Sequence, residues 1–317
     1  MKRSQFKKYM KTKFIGLVLV FLSGITYAQQ DAQFTQYMYN TTVVNPAYAG
    51  SRETLSIFGL HRAQWVGLEG APSTNNFSIN SPIGRNVGLG LSVVNDKIGP
   101  SDENNIAVDF SYSIDVSENC KLSFGLKGSA NILNVDFTKL NIYNPADPRF
   151  QNNIDNRFSP NVGAGLYLHS DKSYFGLSVP YLLESKHFDG TASSSATSFV
   201  ASDKKHYYLI AGHVFDVNDN LQFKPSVLTK MVQGAPLQVD LSGNFLINKK
   251  FTAGLAYRMS ASFSALAGFQ VSDSWFIGYA YDRETTKLAN YNSGSHELFL
   301  RFELVKRNVK IISPRFF

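Results

Sequence analysis

Runs of about ten residues in which large apolar side chains alternate with small or polar ones recur along this chain, and no other feature restricts its fold as tightly. Ile106, Val108, Phe110, Tyr112 and Ile114 alternate with Ala107, Asp109, Ser111 and Ser113. Side chains of a strand point to opposite faces with period two, so this run is apolar on one face and polar on the other. Val87, Leu89 and Leu91 alternate in the same way with Gly88, Gly90 and Ser92, as do Leu122, Phe124 and Leu126 with Ser123, Gly125 and Lys127. Later, Leu237, Val239 and Leu241 alternate with Gln238, Asp240 and Ser242, and Leu298, Leu300 and Phe302 with Glu297, Phe299 and Arg301.

Read in order, the runs predict fourteen strands, at 55–65, 74–81, 86–95, 105–116, 121–133, 161–169, 173–183, 206–215, 221–232, 237–247, 251–258, 263–271, 275–282 and 296–305. Short turns at 81–85, 116–120, 170–172, 216–220, 248–250 and 272–274 fall at every second junction. Longer polar stretches at 101–105, 134–160, 184–205 and 283–295 are rich in the Gly, Asn, Ser and Asp of surface loops. The predicted fold is all-β: a transmembrane antiparallel β-barrel of about fourteen strands, with short periplasmic turns and longer outer loops. A soluble β-sandwich also alternates, but it buries its apolar face on a second sheet and rarely needs so many strands. Closure also answers the problem of lipid, where every backbone polar group needs a partner within the protein.

On that reading the polar faces line a lumen, and Asp109, Lys127, Lys224, Asp240, Glu297, Arg301 and Glu303 pair inside it. Trp65, Tyr112, Tyr167, Tyr174, Tyr181, Tyr257, Trp275, Tyr279 and Tyr281 lie in or at the ends of strands, as interface rings or as core. Gly88, Gly90, Gly125, Gly163, Gly165 and Gly278 permit bending or close approach of another group. They lack the strand-then-helix setting of a phosphate-binding loop.

The net charge of +7 over 317 residues would suggest an anionic partner if it sat on a folded surface. Six of those charges, Lys2, Arg3, Lys7, Lys8, Lys11 and Lys13, precede the apolar run from Phe14 to Leu22 and a small-residue exit at Thr26-Tyr27-Ala28. This is the pattern of a secretory signal peptide cut after Ala28. Its removal leaves 25 basic against 24 acidic residues, which takes away the case for nucleic-acid binding. The expected divisions are a signal peptide over 1–28, a periplasmic amino-terminal segment over 29–54, the barrel over 55–305 and a basic periplasmic tail over 306–317.

Little in the sequence points to catalysis. The single cysteine, Cys120, excludes an internal disulfide and any multi-cysteine zinc site. The six histidines show no ligand spacing, and no Gly-x-Ser-x-Gly elbow is present. No metal, cofactor or catalytic residue is expected.

Two segments carry information beyond periodicity. One is Gln33-Phe34-Thr35-Gln36-Tyr37-Met38-Tyr39-Asn40 with Asn45-Pro46-Ala47-Tyr48-Ala49-Gly50; the other is Arg62-Ala63-Gln64-Trp65-Val66-Gly67, continuing to Gly70-Ala71-Pro72. With Ser295-His296-Glu297 and the terminal Ser313-Pro314-Arg315-Phe316-Phe317, they resemble the PorP/SprF family of outer-membrane proteins, associated with type IX secretion and gliding motility in Bacteroidota. The resemblance implies a non-enzymatic barrel in the outer-membrane lipid that docks periplasmic machinery or helps deliver and attach a secreted adhesin. Its implied partners are the periplasmic ring and peptidoglycan-binding subunits, or the adhesin's carboxyl-terminal domain. A passive channel or hydrophobic-solute transporter is the alternative use of such a barrel.

Phe34, Tyr37, Asn45, Pro46, Gly50, Arg62, Gln64, Trp65 and Arg315 are the candidate partner-contact residues. Asn45-Pro46-Ala47-Tyr48-Ala49-Gly50 reads as a turn, since Pro46 fixes its own φ, Asn45 is pushed extended and Gly50 accepts a positive φ. The segment before it, with Phe34, Tyr37 and Met38 at helical spacing, reads either as a partial plug in the periplasmic mouth or as a simple lead into the first strand. Trp65 reads as an interface anchor or a partner contact.

Overall fold

The computed structural model describes residues 33–141, 152–184 and 204–304. Residues 1–32, with the expected signal peptide, residues 142–151 and 185–203, and the expected tail with Arg315 lie outside them. Among the described residues no helix is long and apolar enough to cross a membrane.

The strands are β1 (Ser56–Ala63), β2 (Ser73–Pro82), β3 (Val87–Ile98), β4 (Ser101–Ser117), β5 (Cys120–Val135), β6 (Ile154–His169), β7 (Ser173–Val179), β8 (His206–His213), β9 (Phe215–Asn218), β10 (Leu221–Val232), β11 (Gln238–Ile247), β12 (Phe251–Arg258), β13 (Ser262–Gln270), β14 (Trp275–Glu284) and β15 (Ser295–Glu303). All pair antiparallel with their neighbours. The ring closes because β1 pairs with β15 as well as with β2. β8 and β9 form one stave, since the register runs straight from Ser226↔Gly212 to Phe223↔Phe215. The break between them faces Pro225, which has no N–H to give the ladder. The barrel thus has the fourteen staves that the alternation predicts.

Several boundaries differ from the sequence reading; β7, expected over 173–183, ends at Val179, before Pro180, which has no N–H for the ladder. Residues 101–105, expected as a loop, open β4, and the hairpin narrows to Gly99-Pro100 with φ +54° at Gly99. There Asp96 pairs with Glu103 and Lys97 with Asp102, and Asn95 Nδ2 donates to Asp102 Oδ1 at 2.7 Å. The apolar alternation stops where the lipid-facing band stops, but the backbone ladder does not. For the same reason β6 begins at Ile154 and the stave of β8 and β9 runs on to Asn218.

The faces are inverted relative to a soluble protein. Leu89, Leu91, Val108, Phe110, Leu126, Leu241, Leu255, Leu298 and Leu300 are exposed on the outside, whereas Asp109, Ser111, Lys127, Asn76, Ser78 and Asn244 are buried inside. Of the aromatic residues, Tyr112, Trp275 and Tyr279 face outward, while Tyr167 and Tyr174 are buried in the lumen. The amino-terminal segment is buried there with them: residues 35–42 and 45–49 are nearly free of solvent contact. The apolar core of the protein joins this segment to the inward side chains of Phe58, Leu60, Ile210, Leu228, Phe276 and Phe299.

Candidate functional site

The lumen and the segment that fills it are the candidate functional site. Residues 33–54 run from the long-loop end of the barrel to the short-turn end, making three 3-10 turns at Tyr37–Tyr39, Thr41–Val43 and Pro46–Tyr48. The sequence leaves open a partial plug at one mouth and a simple lead into β1. In the structure Gln33 meets Gln238 at the long-loop rim and Arg52 meets Glu303 at the opposite rim.

At the long-loop end the wall supplies Arg62, Asp282 and Glu297, all buried. Arg62 Nη2 lies 2.7 Å from Asp282 Oδ2 and Nη1 lies 3.1 Å from Glu297 Oε2. One cation against two carboxylates leaves surplus negative charge, and buried charge is costly unless it is met by partners. The plug meets it. The backbone N–H groups of Thr35 and Gln36 donate to Glu297 at 2.9 and 2.8 Å, and Thr35 Oγ1 donates to Asp282 Oδ2 at 2.6 Å. Beside them Arg258 binds both oxygens of Asp240 and reaches the Phe34 carbonyl at 3.4 Å. Tyr37 is buried just below.

Midway, the ring of Tyr39 packs 5.0 Å from Phe299 and 5.5 Å from Phe276 between centroids. Burying side chains such as Tyr39 and Met38 stabilises the seated plug by about 1.5–3 kcal/mol each. Asn40 donates to Asn76 and accepts from Ser78. Lys127 Nζ pairs with Asp109 at 2.9 Å and lies 3.4 Å from the Thr42 carbonyl, so one wall ion pair also holds the plug backbone.

Near the short-turn end, Asn45 is extended at φ −140°, its Oδ1 accepts the N–H of Ala47 at 3.0 Å, and Pro46 opens the turn. Asn45 Nδ2 donates to the Leu166 carbonyl at 2.9 Å, and Ser111 Oγ to the Ala49 carbonyl at 2.6 Å. This turn lies against bare backbone. A Cβ on Gly125 would strike the backbone of Pro46 and Ala47, and one on Gly165 would strike the Asn45 side chain. Gly50 takes φ +73°, as the turn reading requires. Arg52 closes the segment by pairing with Glu303; burial works against its charge, and Glu303 and Tyr48 more than restore it, so its proton affinity is raised.

The structure therefore brings Phe34, Tyr37, Asn45, Pro46, Gly50 and Arg62 together inside the barrel. Gln64 and Trp65 sit at the long-loop rim instead. The Gln64 N–H closes the first long loop on the Pro72 carbonyl at 2.9 Å, and the Trp65 indole donates to Glu284 at 3.0 Å. Arg315 lies outside the described residues. Sequence reading named Glu297, Asp109, Lys127 and the strand glycines for pairing or close approach, but not Asp282, Ser111 or Leu166 as partners of the plug. The available signal was glycine at inward positions of neighbouring strands, Gly125 opposite Gly165.

The luminal side chains hold the plug through ion pairs and hydrogen bonds. Ser173 Oγ lies 2.7 Å from His213 Nδ1, but Asp216, the nearby acid, binds Lys172 and Gln222 instead of orienting that imidazole. Among the described residues no group of His, Cys, Asp or Glu is arranged to hold a metal ion.

A family model described as type IX secretion system membrane protein PorP/SprF matches residues 26–302. No curated protein matches the chain. Among solved structures, the CymD monoaromatic hydrocarbon channel is similar at TM-score 0.49 and 13% identity, over 89% of this chain and 96% of that one. The Acinetobacter baumannii outer-membrane protein Omp33 is similar at TM-score 0.46 and 8% identity, over 80% and 98%.

Proposed function

Because the chain belongs to the PorP/SprF family of type IX secretion system membrane proteins, we propose that this barrel is a non-enzymatic docking component, exported by its amino-terminal leader and seated in the outer membrane. With the short turns in the periplasm, as bacterial barrels of this class have them, that rim faces the ring and peptidoglycan-binding subunits of the secretion machine. The long-loop rim faces the cell surface, where the carboxyl-terminal domain of a secreted adhesin would be received.

The observation that carries this reading is the plug. A passive channel needs a water-filled path, and here residues 35–42 and 45–49 are buried against the inner wall along the length of the lumen. The buried ion pairs and hydrogen bonds that seat the plug make a rigid body with two rims, suited to binding on either side of the membrane.

Deleting the gene is expected to abolish surface display of a cargo protein. Unchanged display together with loss of small-solute uptake would overturn the proposal in favour of the channel. Purified protein in planar bilayers separates the two directly, since a plugged docking barrel stays closed.

A further inference from the structure

A groove in the outer face of the wall lies where β7 leaves the sheet. The β7–β8 ladder ends at Ser178↔Tyr208, and β7 stops at Val179. Pro180 then turns to the inner side, where a Cβ on Gly163 would strike its backbone, and the Tyr181 hydroxyl donates to Asn105 Oδ1 at 3.4 Å. Outward of this break is a cavity of about 630 Å³ walled by Phe110, Phe124, Leu126, Leu177 and Tyr207, all exposed on the outer face. Its depth comes from small residues. Ala164 stands between Leu126 and Val179 in the ladder, and Gly125 and Gly165, opposite one another, complete the floor.

The groove is continuous with the lipid-facing belt, since Val108, Leu166 and Phe175 beside it are exposed on the same face. In a bilayer, what reaches it is therefore hydrocarbon. An unfilled groove forfeits the dispersion contacts of its walls. Walls of Phe, Leu and Ala give a peptide backbone no line of hydrogen-bond partners, which any polypeptide in hydrocarbon needs. A flexible chain without polar atoms needs none. The floor adds a second relationship. Inside the barrel the same Gly125 and Gly165 face Asn45, Pro46 and Ala47 of the plug, so between groove and plug the wall is a single layer of backbone.

We propose that this groove seats one acyl chain of a membrane phospholipid, lodged where β7 leaves the wall between β6 and β8. Filled, it backs from outside the two glycines on which the Asn45-Pro46 turn rests, so lipid binding and plug seating share one wall. The inference rests on the barrel's place in a bilayer and not on what its rims dock.

The test uses the full barrel purified in detergent, with a phosphatidylethanolamine carrying a diazirine in one acyl chain as the probe. After photolysis, label on Ala164, Leu177 or Tyr207 should exceed label on Ala267, on the outer face of β13, about tenfold, a preference that about two extra buried methylene groups supply. The label should saturate at one lipid per barrel. Ala164→Trp fills the groove and should remove that label, whereas Ala267→Trp should leave it. If Ala164→Trp fails to form a heat-modifiable barrel, the wild-type label should still be displaced saturably by unlabelled phosphatidylethanolamine. Even labelling around the belt, or groove label that survives Ala164→Trp in a folded barrel, overturns the site while leaving the barrel's place in the bilayer intact. Displacement by palmitate at a lower concentration than by phosphatidylethanolamine overturns the choice of a phospholipid.

Discussion

Arg62 Nη1 lies 3.1 Å from Glu297 Oε2, and the same carboxylate receives the backbone N–H groups of Thr35 and Gln36. The wall group Arg62, Asp282 and Glu297 therefore has one cation for two carboxylates, and the N–H groups and Thr35 hydroxyl of the plug help to meet the surplus. Plug and wall form one electrostatic unit although Arg62 and Glu297 stand at opposite ends of the barrel sequence.

Unequal costs follow for the two partners. Arg62→Met leaves two buried carboxylates facing each other and should destabilise the barrel by about 3–5 kcal/mol. Glu297→Gln leaves Arg62 balanced by Asp282 and should cost only about 1–2 kcal/mol, for weakened amide contacts. The temperature at which the folded band collapses in heat-modifiability gels reads both. Equal losses would mean that the group is not coupled in this way.

Gly125 and Gly128 lie on one strand, on opposite faces. A Cβ at Gly125 meets the plug backbone, and one at Gly128 meets nothing within 4 Å. Gly125→Val should unseat the Asn45-Pro46 turn, cost about 1–3 kcal/mol and raise bilayer conductance; Gly128→Val should leave both unchanged. Conductance that stays at the wild-type level in Gly125→Val would show that this turn does not close the lumen.

The strands were legible because period-two alternation is a local signal that each segment carries for itself. β3, with Leu89 and Leu91 out and Gly88 and Gly90 in, needs no distant information. The polar start of β4 was illegible because Asp102 and Asn104 are held by cross-strand partners on β3 and not by apolar burial. The turn at Asn45-Pro46 and the positive φ of Gly50 were readable from residue chemistry alone. The path of the plug was not: whether Thr35 reaches Asp282 depends on contacts 247 residues apart, for which spacing has no signature. Phe34, Tyr37, Asn45, Pro46, Gly50 and Arg62 meet inside the barrel, while the groups they touch could be assigned only in three dimensions.

Orientation is testable with single cysteines in a Cys120→Ser background. Glu69 is exposed in the first long loop and Glu118 in the turn between β4 and β5. With short turns in the periplasm, a membrane-impermeant maleimide should label Glu69→Cys on intact cells and Glu118→Cys only after permeabilisation. The reverse pattern would invert the barrel and move the proposed docking rims with it.

A docking barrel needs a seated plug, whereas a gated channel needs a moving one, and Asn40 with Ser78 distinguishes them. Ser78 Oγ donates to Asn40 Oδ1 at 3.1 Å, so side chains of the plug and of β2 already touch. In the Cys120→Ser background, Asn40→Cys with Ser78→Cys should form a disulfide on oxidation, detected as a reductant-sensitive gel shift. The tether restrains the plug without removing the wall contacts at either end, where Glu297 and Glu303 remain in place. If the plug is a fixed part of the docking body, cargo display by oxidised cells should match wild type to within about twofold, since no step of display requires the bond to open. Display lost on oxidation and restored by reductant would instead establish that the plug leaves its seat during the working cycle.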